Sequence, residues 1–260
     1  MELSGKPTSW ALRAWEPGLD FGYCSLLRLS RCRYNRSMAD PIVRTIAALT
    51  HGRFLIDVPP DVAPPYRLLV GFHGYGEDAE RHLERLRRIP GASGWLLAAV
   101  QGLHRFYSPR RPEDVVASWM TWQDREQAIT DNIAYIDAVL AAIVADYPIV
   151  RLVFAGFSQG VAMAYRAAVF GASRSQGVIA LGGDVPPDVL DGTAKAFPPV
   201  LIGRGAQDTW YTDQRLGADV ADLQAIGVAV RTVVVEGGHG WSEAFGEVAG
   251  EFLMRVATKE

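Results

Sequence analysis

The chain has 260 residues, enough for one large α/β domain. Its content of 49% hydrophobic, 10% aromatic and 21% charged residues excludes a disordered, fibrous or low-complexity protein. A formal net charge of −3 leaves no broad positive field for a phosphate backbone, so a small-molecule substrate is expected as partner and nucleic acid is not.

Residues 1–37 hold six Lys or Arg against three Asp or Glu, whereas the rest of the chain holds 20 against 26. Trp10, Trp15, Gly18 and Gly22 follow neither a helical nor an alternating period. The segment therefore reads as an extension outside the fold, with Met38 as an alternative start and 38–260 as the domain. Arg13, Glu16, Asp20 and Arg28 interrupt every apolar stretch that could serve as a secretory signal. Cys24 and Cys32 form either a local disulfide or, in the cytoplasmic reading preferred here, two thiols. No uncharged apolar run reaches the ~18 residues of a membrane span, so stable membrane insertion is not expected.

From residue 53 onward, short apolar runs alternate with longer segments of helical period. Strands are predicted at 53–58, 67–72, 95–100, 150–155, 177–181, 200–203 and 228–235. Helices are predicted at 77–88, 125–145, 159–170, 213–226 and 242–256. Most of the strands are too uniformly apolar to have a wet face, which places them in a mostly parallel central sheet with helices on both faces. In the 77–88 segment, Glu77 and Glu84 stand four residues before Arg81 and Arg88, the spacing of a solvated, ion-paired helix face.

In open α/β sheets, ligands bind beyond the carboxyl ends of the strands. Gly156-Phe157-Ser158-Gln159-Gly160 follows one strand and opens a helix, the G-x-S-x-G pattern of a nucleophile elbow. A serine hydroxyl needs a base, and His239 lies in the Gly-rich loop after the last strand. Asp208, after the 200–203 strand, is the expected acid that orients the imidazole; Asp184 is its rival. The chain order Ser, acid, His is that of the α/β-hydrolase fold. Backbone N–H groups of Gln159 and of Tyr75, in Gly71-Phe72-His73-Gly74-Tyr75-Gly76, are the expected oxyanion donors. Trp119, Asp184, Trp210 and Tyr211 are candidates for the substrate pocket. No histidine pair has metal-ligand spacing, so neither a metal nor a cofactor is expected.

These marks, with Ser118-Trp119 ahead of the long helix, resemble the phospholipase/carboxylesterase family of α/β-hydrolases over about residues 53–256. The resemblance implies Ser158, Asp208 and His239 as the triad, Tyr75 and Gln159 as the oxyanion hole, and a serine carboxylesterase acting on short to medium acyl esters or thioesters. The alternatives are a lysophospholipase or acyl-protein thioesterase, a dienelactone-hydrolase-like enzyme, and a ligand receptor without turnover. The sequence departs from the family pattern at Val161, at Gly203-Arg204-Gly205, at Thr209-Trp210-Tyr211 and at Asp184.

Overall fold

A computed structural model of the chain describes residues 42–191 and 197–258. The chain divides after Ala47. In the first unit, residues 42–47 are exposed and carry no helix or strand. The reading of residues 1–37 as an extension, and of Cys24 and Cys32 as thiols, falls on positions outside the described residues.

Among the described residues, all α-helices and strands belong to the unit Ala48–Glu260. In chain order they are β1 (Arg53–Asp57), β2 (Tyr66–Phe72), α1 (Ala79–Arg87), β3 (Leu96–Gln101), β4 (His104–Tyr107), β5 (Val115–Ser118) and α2 (Arg125–Asp146). Then follow β6 (Ile149–Phe157), α3 (Gln159–Val169), β7 (Gly177–Leu181), α4 (Pro187–Leu190), β8 (Val200–Gly205), α5 (Asp213–Ala225), β9 (Val230–Val235) and α6 (Glu243–Thr258).

Seven strands form one sheet in the order β1-β3-β2-β6-β7-β8-β9. All neighbours are parallel except β1, which runs antiparallel to β3 with Arg53 opposite Gln101. The exception has a local cause. The link 58–65 contains four prolines and no helix, so it reverses the chain instead of carrying it back across the sheet.

Side chains alternate across the inner strands, and both faces are buried. On one face Leu68, Val70, Phe72, Phe154, Ala180 and Ile202 pack against α2, α3 and α5. On the other, Leu69, Ala99, Val153, Ile179 and Leu201 pack against α1 and α6. This double burial is what makes the strands read as continuous apolar runs. By length and composition α2 could cross a membrane. Here it lies on the sheet with Ile129, Ile136, Val139, Leu140 and Ile143 buried.

The connection 102–122 carries no predicted element, yet β4 and β5 pair within it as an antiparallel hairpin, His104 opposite Ser118. The helix predicted from Glu77 begins two residues later, because Asp78 caps it: its Oδ1 accepts the Arg81 N–H at 2.7 Å.

Candidate functional site

β6 ends at Phe157 and α3 begins at Gln159, so the chain turns within Ser158. Ser158 has φ 52° and ψ −120°, a conformation normally left to glycine at the first central position of a type II′ turn. The flanking glycines have no room for a side chain. A Cβ on Gly156 would stand 2.5 Å from the Gly160 carbonyl oxygen, and one on Gly160 would stand 2.1 Å from that of Phe72. Ser158 N–H donates to the Leu181 carbonyl at 2.9 Å, so the turn is pinned to β7 as well. The hydroxyl is left partly exposed beyond the carboxyl edge of the sheet.

Two further loops at that edge reach the hydroxyl. His239, between β9 and α6, places Nε2 at 2.9 Å from Ser158 Oγ and Nδ1 at 2.7 Å from Asp208 Oδ2. Asp208, between β8 and α5, is only 4% exposed. Its other oxygen, Oδ1, accepts the N–H groups of Trp210 at 2.8 Å and Tyr211 at 2.9 Å, which fixes the carboxylate plane and leaves Oδ2 for the imidazole. Burial alone would raise this carboxyl, but the hydrogen bonds from Tyr211, His239 and Trp210 together hold it below the usual carboxylate range. The two loops are also tied to each other: Gln207 N–H donates to the Gly237 carbonyl at 2.8 Å, and Gly237 N–H donates to Gln207 Oε1 at 2.6 Å.

Asp184 does not meet the imidazole. Its Oδ2 accepts from Arg215 Nη1 at 2.9 Å on the surface. Arg204, one of the departures from the family pattern, is buried beneath the loop that carries Asp208. It donates to the carbonyls of Tyr211 at 3.0 Å and Ala206 at 3.2 Å and pairs with Asp213.

The loop after β2 is braced from several sides. His73 is fully buried, and its Nε2 accepts the Gly102 N–H at 2.9 Å, so the proton sits on Nδ1 and is donated to the Gly74 carbonyl at 2.7 Å. Burial lowers the pKa of this imidazole, in keeping with a neutral ring. Trp119 Nε1 donates to the His73 carbonyl at 2.9 Å. Gly74 N–H donates to Glu77 Oε2 at 2.9 Å, and both Glu77 oxygens accept from Arg85 at 2.6 Å. Burial would raise the Glu77 carboxyl, but the Arg85 fork outweighs it and holds the group below its ordinary range. Tyr75 stands at the tip, with its ring exposed and 5.6 Å from that of Phe106 in β4. The start of α3 lies against the same loop, since a Cβ on Gly160 would also be 2.6 Å from the His73 carbonyl oxygen. The Gln159 side chain bridges to the hairpin, accepting the Trp119 N–H at 3.0 Å and donating to the Met120 carbonyl at 2.9 Å.

The four residues read as pocket candidates separate. Trp210 is half exposed and lays its ring 5.5 Å from that of His239, edge to face. Trp119 and Tyr211 are fully buried: the first braces the loop after β2, and the second donates its hydroxyl to Asp219 at 2.7 Å. Neither has a surface to offer a substrate. Asp184 is held by Arg215.

The solvated face read from Glu77 and Arg81 is also corrected. Glu77 precedes the helix, lies 3.8 Å from Arg81 and makes its closer pair with the largely buried Arg85. The Arg85 guanidinium in turn covers the Phe157 ring, whose other neighbour is His239 at 5.2 Å. Neither that stack nor the Gln159 bridge follows from the elbow motif, which specifies only glycines and the serine. Among the described residues no group of His, Cys, Asp and Glu converges as a metal site.

No family model and no curated protein matches the chain by sequence. Solved structures do match it in three dimensions. The crystal structure of esterase PE8 is 22% identical, with a TM-score of 0.62 over 79% of this chain and 98% of that one. A Bacillus cereus carboxylesterase is 15% identical, with a TM-score of 0.63 over 79% and 94%. An acyl-protein thioesterase 2 from Zea mays is 17% identical, with a TM-score of 0.60 over 79% and 99%. A mostly parallel seven-stranded sheet covered on both faces, with this likeness, gives the chain the α/β-hydrolase fold.

Proposed function

We propose that this protein is a serine hydrolase of carboxylic esters, of the phospholipase/carboxylesterase kind, with Ser158 as nucleophile. The observation that carries this reading is the unbroken chain Asp208–His239–Ser158, with hydrogen bonds of 2.7 and 2.9 Å, on a serine held in a glycine-like conformation. The esterases and the thioesterase of similar fold support it.

In this reading Ser158 Oγ attacks the acyl carbon while His239 Nε2 takes its proton. Asp208 keeps the imidazole proton on Nδ1 and stabilises the imidazolium that forms. The N–H groups of Gln159 and Tyr75 stabilise the carbonyl oxygen as it becomes an oxyanion. Collapse breaks the bond to the alcohol or thiol, which leaves with the proton from His239. Water then attacks the acyl-enzyme by the same route, releasing the acid and restoring Ser158.

The substrates expected are short to medium acyl esters or thioesters, entering past Trp210, Tyr75 and the hairpin. The test is treatment with an activated alkyl phosphonate, read by intact mass. One phosphonyl adduct should form on the wild type and none on Ser158→Ala, with p-nitrophenyl butyrate turnover lost in both. An adduct at another residue, or none at all, would overturn the assignment.

A further inference from the structure

His239 sets where the alcohol half of an ester must lie. On the serine-hydrolase reading, Nε2 stands 2.9 Å from Ser158 Oγ and passes its proton on to the leaving oxygen, which must come within about 3 Å of the same nitrogen. The leaving group therefore lies against whatever flanks this imidazole. Among the described residues two aromatic rings do so, Phe157 at 5.2 Å and Trp210 at 5.5 Å. They differ in what they offer. Phe157 is 5% exposed and covered by the Arg85 guanidinium, so it presents almost no surface to a ligand, whereas Trp210 is 47% exposed.

The indole is also held in place. The Trp210 backbone N–H donates to Asp208 Oδ1 at 2.8 Å, which ties the residue to the carboxylate that holds His239. The Arg215 guanidinium lies over the ring, 5.2 Å from its centroid, and is itself paired with Asp184 at 2.9 Å. With that charge matched, the rim beside His239 presents a fixed aromatic surface rather than a free cation. Trp210 belongs to Thr209-Trp210-Tyr211, where the sequence departs from the family pattern, so the resemblance does not account for the ring.

We propose that Trp210 selects the leaving group, and that the preferred substrates are esters of arylmethyl alcohols, whose ring packs on the exposed part of the indole. In the acylation step the bond between the acyl carbon and the alcohol oxygen breaks. That oxygen takes the proton from His239 Nε2, and the acyl group stays on Ser158 Oγ. A methylene between oxygen and ring gives the aryl group the reach and rotation to meet the indole offset or edge-on, a contact that adds about fivefold over an alkyl group of the same size. An alkyl alcohol would cover the indole without that contact, and an anionic one would compete with Asp184 for Arg215. Because the wall meets only the alcohol half, it acts on kcat/KM across a series of alcohols and leaves the choice of acyl group alone. The inference rests on the serine-hydrolase reading and adds to it the class of leaving group.

The experiment is steady-state kinetics of the full chain on benzyl butyrate and cyclohexylmethyl butyrate, whose alcohols are alike in size and acidity, with ethyl acetate, butyrate and hexanoate as the acyl series. The wild type should show kcat/KM about fivefold higher for the benzyl ester. Trp210→Leu should bring that ratio to within about twofold of unity, and Trp210→Phe, which keeps a ring, should retain most of it. The relative rates along the acyl series should stay within about twofold of wild type in Trp210→Leu. A wild type that turns over both butyrates equally, through Ser158, would overturn this inference alone. So would a benzyl preference that survives Trp210→Leu, or an equal fall for every ester in that variant, which would make the ring a support for the imidazole only. No turnover of any ester by the wild type, or turnover that survives Ser158→Ala, would overturn the serine-hydrolase reading and this inference with it.

Discussion

Asp208 and Asp184 are both aspartates in loops beyond the carboxyl edge of the sheet, and their surroundings separate them. Asp208 is buried with both its oxygens engaged, by one imidazole and two backbone N–H groups, whereas Asp184 holds a surface arginine. Asp208→Asn should therefore lower kcat about 10⁴-fold, through loss of the correct histidine tautomer, with the fold retained. Asp184→Asn should change kcat less than about twofold, since an exposed ion pair contributes little. Steady-state kinetics on p-nitrophenyl butyrate with circular dichroism as the control checks both, and the reverse ranking would name Asp184 as the acid.

Asp219, a third carboxylate, links the loop after β7 to the loop of Asp208 by accepting Val185 N–H at 3.0 Å and the Tyr211 hydroxyl at 2.7 Å. Burial raises its pKa to about 6, against the opposing effect of those two hydrogen bonds, while Asp184 and Asp222 push the same way as burial. The raised value means that the folded state holds this proton more tightly than the unfolded chain does. The stability it contributes is full below the ordinary carboxylate pKa and is lost as pH rises toward about 6. Asp219→Asn should flatten the fall in Tm over that window, and an unchanged slope in thermal melts at pH 4 to 7 would remove Asp219 as its source. Nothing in the sequence marks this residue out, because its partners Val185 and Tyr211 come from loops that only the fold brings together.

At the scale of elements, what was legible followed from periodicity. β2, β3, β6, β7 and β8 are buried on both faces and so stand out as unbroken apolar runs, and the elbow is legible because two glycines are sterically required around Ser158. The hairpin β4–β5 was not legible: it is four residues a side, with His104, Arg105 and Tyr107 all exposed. The antiparallel sense of β1 was equally hidden, since strand direction leaves no trace in a five-residue pattern.

Glu77 shows a subtler failure. Its i+4 spacing to Arg81 is real, but an N-cap one residue later takes Glu77 off the helix and gives it to Arg85. That pair also carries the Gly74 N–H and, through Phe157, one side of His239. Glu77→Gln leaves a largely buried guanidinium without its counter-charge and should cost about 3 kcal/mol of stability by chemical denaturation. Adding Arg85→Met should recover part of that loss in stability. If the single variant were as stable as the wild type, the pair would not be bracing the loop.

Seen as a whole molecule, the edge of the sheet that bears Ser158 is rimmed by the β4–β5 hairpin and by the loops after β2, β7, β8 and β9. The hairpin occupies 104–118 of the link 102–122, and beyond β7 the described part of the link to β8 contains the single turn α4. Trp210, Tyr75 and Tyr107 stay exposed around this edge. On the proposed reading, soluble esters reach such a site by diffusion, and each added methylene contributes up to about 0.8 kcal/mol only while it finds a wall to cover. Rates on p-nitrophenyl esters should peak at short to medium acyl chains and fall for palmitate. A jump in rate above the solubility limit of a long-chain ester, absent below it, would point to a lipase instead.

The glycine-like backbone of Ser158 has a further consequence for anyone who selects variants of this protein. A side chain in that region of conformational space costs about 1–3 kcal/mol, and the fold tolerates it because β6, α3 and β7 fix the turn on all sides. Ser158→Gly should then melt at a higher temperature than the wild type while turning over nothing. A screen for thermal robustness alone would discard the proposed nucleophile first, so heat and activity must be selected together.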